Sequence, residues 1–461
     1  MKKLSIFLFI FAIVVLVSLN AKNLFLTTTF SPSLSSYNTS STTTSVALST
    51  ASLEVSSSSA TTTAWIPAQK TTFSFMGYGK NDDGQLAGTL FSKNVKQEFN
   101  VKVPGKIVKT YAGRSHTVAL TAAGRVVSWG GNDFGQLGYT TKTKDSAVPQ
   151  EIPGLEHITS LATTNNHTLA IDSDGNVYAW GSNFTGQLGD GTNNDRTTPQ
   201  KVSGLPKIKA ISASHKFSLA LDTDGNVWAW GATCKEANKK AALALLSYLG
   251  SQLSELQGGY YDYSSTGGTG YDINQDCINE DAVNIHSLVP KKLAISNVKT
   301  ISSGYGHALF LKTDGTVIGM GCNTHGQLAR EPGTLKGQLV KIQGLPPVVA
   351  AVAGARHSLF LDKDGTIYGV GANQYGQIAA GTQKNKMTPT KIENIPPLKK
   401  IVAGFDYSIG IDKTGGTWAW GMNVEEFIKS HEPLRMDYPV KLFDTEPVSI
   451  GTGGSHIIFQ H

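Results

Sequence analysis

Short apolar runs alternate with turn residues along most of the chain. Two such runs occupy 168–171 and 177–180, with Asp174-Gly175 between them. Runs this short, joined by Asp-Gly, predict two antiparallel strands in a hairpin. The Gly would take the positive φ of a tight primed turn. The pattern returns at Asp224-Gly225, Asp314-Gly315 and Asp364-Gly365, with Ala123-Gly124 and Gly415-Gly416 as variants. In one unit, "KIKAISA" predicts an inner strand, 217–221 a second and 226–230 a third. Trp228 and Trp230 alternate there with Val227 and Ala229, as in a strand buried between layers. The outermost strand is expected near 199–202, where an edge Pro costs no ladder bond.

The hairpin is one part of a longer repeat. His116, His167, His307, His357 and His456 each follow a similar turn, and Phe217 and Tyr407 fill the same slot in two further copies. Successive slots are 51, 50, 90, 50, 50 and 49 residues apart, so one unit carries about 40 extra residues. A second marker closes each hairpin: Trp129, Trp180, Trp230 and Trp420 before Gly, with Met76, Met320 and Val370 as degraded forms. Seven markers meet only six turns. The first unit, "TTFSFMGYG", supplies the second half of a hairpin, and the last, "GTGGSHIIFQH", supplies the first half. Their pairing would close a ring and leave no open edge. The expected fold is therefore all-β: a seven-bladed β-propeller over 65–461, closed by its N- and C-terminal strands, with an insert at 232–297.

The unit reads G-x-x-H-[ST]-x-x-[LI]-x-x-x-G-x-[VI]-x-x-W-G-x-N-x-x-G-Q-L. It resembles the regulator of chromosome condensation repeat over 73–461, and the resemblance implies the same seven-bladed fold. The family's best-known member is a nuclear guanine-nucleotide exchange factor that also docks on chromatin. Exported bacterial-type members look like binding modules, and this chain is read as one of that type. The repeat motif builds blades and carries no exchange site, so the fold alone is transferred.

Five histidines in a ring invite a metal reading, but rotational symmetry disperses them among blades, too far apart for one tetrahedral shell. Another pattern is more informative. "GQL" or "GQI" follows the hairpin at Gln85, Gln136, Gln187, Gln327 and Gln377, and is missing from the two units whose slot holds Phe217 or Tyr407. The expectation is that each His touches this loop within its own blade, the imidazole bonding loop main chain that would otherwise be buried unpaired. The four Trp and five His are thus read as structural.

The chain has 461 residues, 40% hydrophobic, with 49 Gly, three Cys and a formal charge of +6. The Gly content suits a turn-rich β protein. No Lys/Arg block marks a nucleic-acid arm, and none is expected to bind there. Lys2 and Lys3 precede an apolar run from 4 to 19, a pattern of export. Residues 1–26 are read as a signal peptide ending near Ala21 or as an uncleaved membrane anchor. The Ser/Thr-rich stretch 27–64 is too polar to form a core and is read as a disordered linker. An extracellular or cell-surface location follows as an expectation. Cys234 and Cys277 are the expected disulfide, the oxidising compartment permitting one.

Within the insert, 239–256 reads as a helix with Leu245, Leu249, Leu253 and Leu256 on one stripe. Tyr260, Tyr261, Tyr263 and Tyr271 follow in a Gly-rich stretch. Tyr supplies contact area and a hydroxyl at low entropic cost, so these four are candidate partner contacts. Asp272, Asn274 and Asp276 are spaced like the start of a calcium loop, but Cys277 stands where Gly is required. No cofactor and no catalytic motif is expected. The reading is a monomeric module that binds an extracellular protein or surface polymer. An exchange factor or chromatin-docking protein, and an enzyme with a site in the central funnel, are the alternatives.

Overall fold

A computed structural model of the chain describes residues 70–87, 95–141, 145–232, 286–332, 339–422 and 435–460. All regular structure among them is strand: seven four-stranded antiparallel sheets, the blades of a propeller. In the second blade the inner strand is Ile107–Ala112, followed outward by His116–Thr121, Val126–Gly131 and Asp145–Glu151. Five further blades repeat that plan in chain order, with inner strands Ile158–Thr163, Ile208–Ala213, Val298–Ser303, Val348–Ala353 and Leu398–Ala403. The first blade joins the two ends of this region. Its order from the centre is Ser449–Thr452, His456–Gln460, Lys70–Gly79, Val95–Pro104. Phe75 pairs with Gln460 and Gly79 with His456, so the expected closure is present.

Two local expectations are corrected. The first concerns the hairpin. Gly175 has φ of 83° and its N–H donates to Asp172 O at 3.1 Å, but neither Ser173 nor Asp174 has positive φ. The turn is type I with Gly in the left-handed position after it, which suits the three-residue connection here. Asp172 completes it by accepting from the N–H of Asp174 and Asn176, at 3.0 and 2.8 Å. The second concerns the outermost strand. Residues 199–201 lie in Arg196–Lys201, which pairs with Val177–Gly181 of the preceding blade. The fourth blade takes His286–Lys292 instead, after the insert. The chain finishes a blade at the rim before crossing to the centre of the next one.

Six of the seven inner strands carry a β-bulge near their start; Ser449–Thr452 of the first blade pairs without one. Ile208 pairs with Asp222 and Ala210 with Leu221, leaving Lys209 without a ladder partner. The same shift falls after Ile107, Ile158, Val298, Val348 and Leu398. The blades pack through apolar side chains between sheets, with Trp129, Trp180, Trp230 and Trp420 fully buried.

Expectations for 1–26, 27–64, the 239–256 helix, Tyr260, Tyr261, Tyr263, Tyr271 and the Asp272 loop lie outside the described residues. The expected pairing of Cys234 with Cys277 also falls outside the described residues; Cys322, 3% exposed, is disulfide-bonded. Cys322 follows the third strand of the fifth blade, in the place that Ala232 holds in the fourth, where the chain enters the insert.

Candidate functional site

The repeating histidines form seams between blades. His167 Nε2 lies 2.9 Å from Ser218 Oγ, which belongs to the next blade. Ser218 Oγ in turn donates to Gln187 O at 2.7 Å. Trp230, beside Ser218, donates Nε1–H to the same carbonyl at 2.9 Å. Thus the imidazole reaches the loop through a neighbour's hydroxyl; the expected direct bond within one blade is corrected. The motif's [ST] position, one residue after the His, supplies that hydroxyl. His456–Thr117–Gln85, His307–Ser358–Gln327 and His357–Ser408–Gln377 repeat the relay. His116 faces Thr168 at 3.3 Å and Thr163 at 3.2 Å.

The relay fixes the tautomer. The Ser or Thr proton is spent on the Gln carbonyl, so the hydroxyl oxygen accepts and Nε2–H donates. In these four rings Nδ1 then carries a bare lone pair, and Nδ1 of all five is buried without a hydrogen-bond partner. Burial pulls each imidazole down to about 3, so the rings are neutral. Among the described residues no group of three metal-ligating side chains gathers.

Two seams depart together from this plan. Phe217 meets Ala308 and Met320, all fully buried, and Tyr407 packs with Ile457 and Tyr78. Where His is absent, so are the Gln loop before the seam and the hydroxyl and Trp after it. An apolar plug replaces the polar set at the Phe217 seam, and at the other the Tyr407 hydroxyl keeps one bond across the seam, to Gly453 O at 3.4 Å. These are also the two blades whose third strand leads into the longest departures from the repeat, after Ala232 and after Met422.

The Gln loops and the turns between first and second strands share one face, here the loop face. Thr185 Oγ1 donates to Lys216 O, and the N–H groups of Ala232 and Met422 donate to Lys216 O and Asp406 O. Around the channel mouth on this face runs an aromatic arc. Phe184, 52% exposed, lies 5.9 Å from the His215 ring. His215 stacks on Tyr305 at 4.2 Å, and Tyr305 meets Phe405 edge-on at 5.5 Å. Ala355, in the blade between Tyr305 and Phe405, is small enough to permit that contact. Asn165 Nδ2 donates to His215 Nδ1. Burial, with Lys216 and Arg114 nearby, holds His215 well below the usual imidazole range, so the arc is uncharged there. None of these residues was singled out from sequence. They occupy variable turn positions, and only superposing the seven copies on the His slot would have aligned them.

Beneath the arc lies a cavity of about 220 Å³. Its wall is main chain, small hydroxyl and apolar side chains, including Thr163, Ser302, Ser303 and Val352. No carboxylate, imidazole, amine or thiol is among its lining residues, and Tyr305 brings a phenol.

Comparison with known proteins agrees with this architecture. The model of the RCC1-like domain matches residues 74–459. The ultraviolet-B receptor UVR8 of Arabidopsis thaliana is 29% identical over 230 residues, covering 48% of this chain and 43% of that protein. The human regulator of chromosome condensation is 37% identical over 108 residues, 23% of this chain and 25% of that protein. The chain thus spans less than half the length of either relative. Among solved structures, yeast RCC1 bound to Kap60 has a TM-score of 0.64 at 21% identity, covering 86% of this chain and 91% of that one. Human WBSCR16 gives 0.63 at 17% identity, covering 84% and 98%. Those two likenesses establish fold alone.

Proposed function

Because the chain belongs to the RCC1-like domain family, we propose that it is a rigid protein-binding module whose loop face is the recognition surface. The observation that carries this is the arc from Phe184 through His215 and Tyr305 to Phe405. Phe184 is exposed and His215, Tyr305 and Phe405 are partly buried beside it, and aromatic side chains held at a rigid mouth supply contact area at low entropic cost. The two departures after Ala232 and Met422 leave from the same face and add sequence that the repeat does not constrain. The relatives support a binding role in general terms: a yeast RCC1 structure is described with binding to Gsp1p and histones. An exchange-factor role has only family-level support, since the match to the human regulator covers under a quarter of this chain.

We place this module outside the cytosol, on an anchor or after cleavage of a leader. Lys2 and Lys3 before the apolar run support export. The bridged Cys322 supports an oxidising compartment. Affinity capture from the exterior of the source cells tests the reading. Full-length protein should retain a defined partner that the F184S/Y305S variant loses, with unchanged melting. Equal capture by both proteins would remove the loop face from the proposal, and recovery of the protein only from cytosol would remove the export.

A further inference from the structure

The opposite end of the channel carries a different chemistry. The Asp-Gly hairpin turns surround it, because Gly175 O accepts from Ile208 N and Lys207 O from Thr223 N, at the starts of inner strands. At this mouth the bulges eject one side chain in each of six blades. A bulged residue has no ladder partner and its side chain is re-aimed. The ejected residues are Val108, Thr159, Lys209, Lys299, Val349 and Lys399, and Val448 holds the corresponding place in the first blade. All seven are exposed or at the edge of exposure, and the three Val are 39%, 45% and 61% exposed. Only seven large apolar side chains are prominently exposed among the described residues, so three at one ring position form a pattern.

Lysines dominate the rest of the ring. Lys109 and Lys400, also exposed, add to Lys209, Lys299 and Lys399. One carboxylate answers them: Glu446, 2.9 Å from Lys399 and 3.8 Å from Lys400. Lys209 reaches only a main-chain oxygen, Thr223 O at 3.3 Å, and Lys109 lies over the Tyr111 ring at 4.9 Å. The inner circle is therefore cationic and apolar at once. Outside it the hairpin turns are of mixed sign: exposed Asp174, Asp224, Asp314 and Asp364 stand with exposed Lys363 and Lys413, and Lys363 pairs with Asp364 at 2.8 Å. That mixed circle offers a long polyanion no continuous cationic track across the face. A short anionic segment inserted at the centre meets only the lysines.

We propose that the ring formed by Lys209, Lys299 and Lys399 with Val108, Val349 and Val448 docks an acidic protein segment bearing apolar side chains among its carboxylates. The carboxylates pair with the lysines, and the apolar side chains cover the exposed valines. This site lies on the face opposite the aromatic arc, and its fate does not depend on that of the loop-face reading. A propeller with both sites would join two partners through its rigid body.

Fluorescence anisotropy with full-length protein and a labelled peptide of repeated Asp-Ser-Glu-Leu units tests the proposal. The K209Q/K299Q/K399Q variant should bind about tenfold or more weakly. The K201Q/K341Q/K391Q variant, which loses the same charge from outer strands, should stay within about twofold. V108S/V349S/V448S should weaken binding of this peptide but leave an Asp-Ser-Glu-Ser peptide unchanged. With wild-type protein alone, raising salt from 0.05 to 0.3 M should loosen both peptides, and the Leu peptide should remain the tighter. Equal binding by the wild type and the inner-lysine variant overturns the proposal. So does loss of peptide preference, or a single-stranded DNA of equal charge binding the same lysines at least as tightly.

Discussion

A buried imidazole without a second partner is costly to charge, and the propeller holds five. Free His titrates near 6.5, whereas burial pulls these five to about 3. Between those values the unfolded chain binds protons that the native chain refuses, so stability rises with pH across that window. It is fully present above about pH 6.5 and drains as pH falls towards 3, with each ring contributing a slope of up to about 1.4 kcal/mol per pH unit. Urea midpoints should therefore drop steeply from pH 7 to pH 5; replacing one His by Gln should lower stability at pH 7 but flatten that drop. The relay also predicts coupling. H167A and S218A each break the chain to Gln187, at about 1–3 kcal/mol apiece. The double variant should lose clearly less than their sum, since one interaction is removed twice. Additive losses in chemical denaturation would separate the two residues. The sequence set a hydroxyl directly after the His slot at Thr117, Thr168, Ser218, Ser358 and Ser408. It did not show that the slot and hydroxyl side chains belong to different seams, because a repeat gives each copy's contents without saying which copy faces which.

Among the elements, the hairpin turn shows how Gly sets the connection. Gly175 has φ of 83°, and a Cβ there would sit 3.0 Å from both Ile208 N and Ile208 O. Gly204 has φ of 78° but nothing within 4 Å of a built Cβ. Both substitutions to Ala incur the left-handed penalty of about 1–2 kcal/mol. G175A should cost at least about 1 kcal/mol more than G204A, because main chain of the next inner strand must move. Thermal melts of the two single variants compare them directly. Strand existence was legible from apolar spacing and Asp-Gly. The turn type was not, since both candidate turns place Gly at positive φ. The outer strand was misassigned for a related reason: Pro199 marks an edge, and the sequence does not say whose. The bulge left no mark either, as Lys209 and Val349 look alike only once the sheets are paired.

For the whole molecule, counting sufficed. Seven markers against six turns required a blade shared by both ends, and the pairing of Phe75 with Gln460 supplies it. The candidate recognition surfaces were not countable, since Phe184, His215, Tyr305 and the bulged lysines are the positions where the copies differ. Closure predicts an all-or-none response to truncation. A chain ending at residue 452 leaves Ser449–Thr452 unpaired and splits the first blade, and should lose its cooperative melt. A circular permutant that opens the turn at Asp224 and links 460 to 70 through a flexible tether should keep it. Circular dichroism of the two proteins reports the difference. The shared blade also sets a timetable. The strand at Lys70–Gly79 waits for its partner at His456–Gln460, so the ring closes only when nearly all its length has been made. The other six blades are each drawn from one contiguous stretch and can form as they emerge, which leaves closure as the last event of assembly.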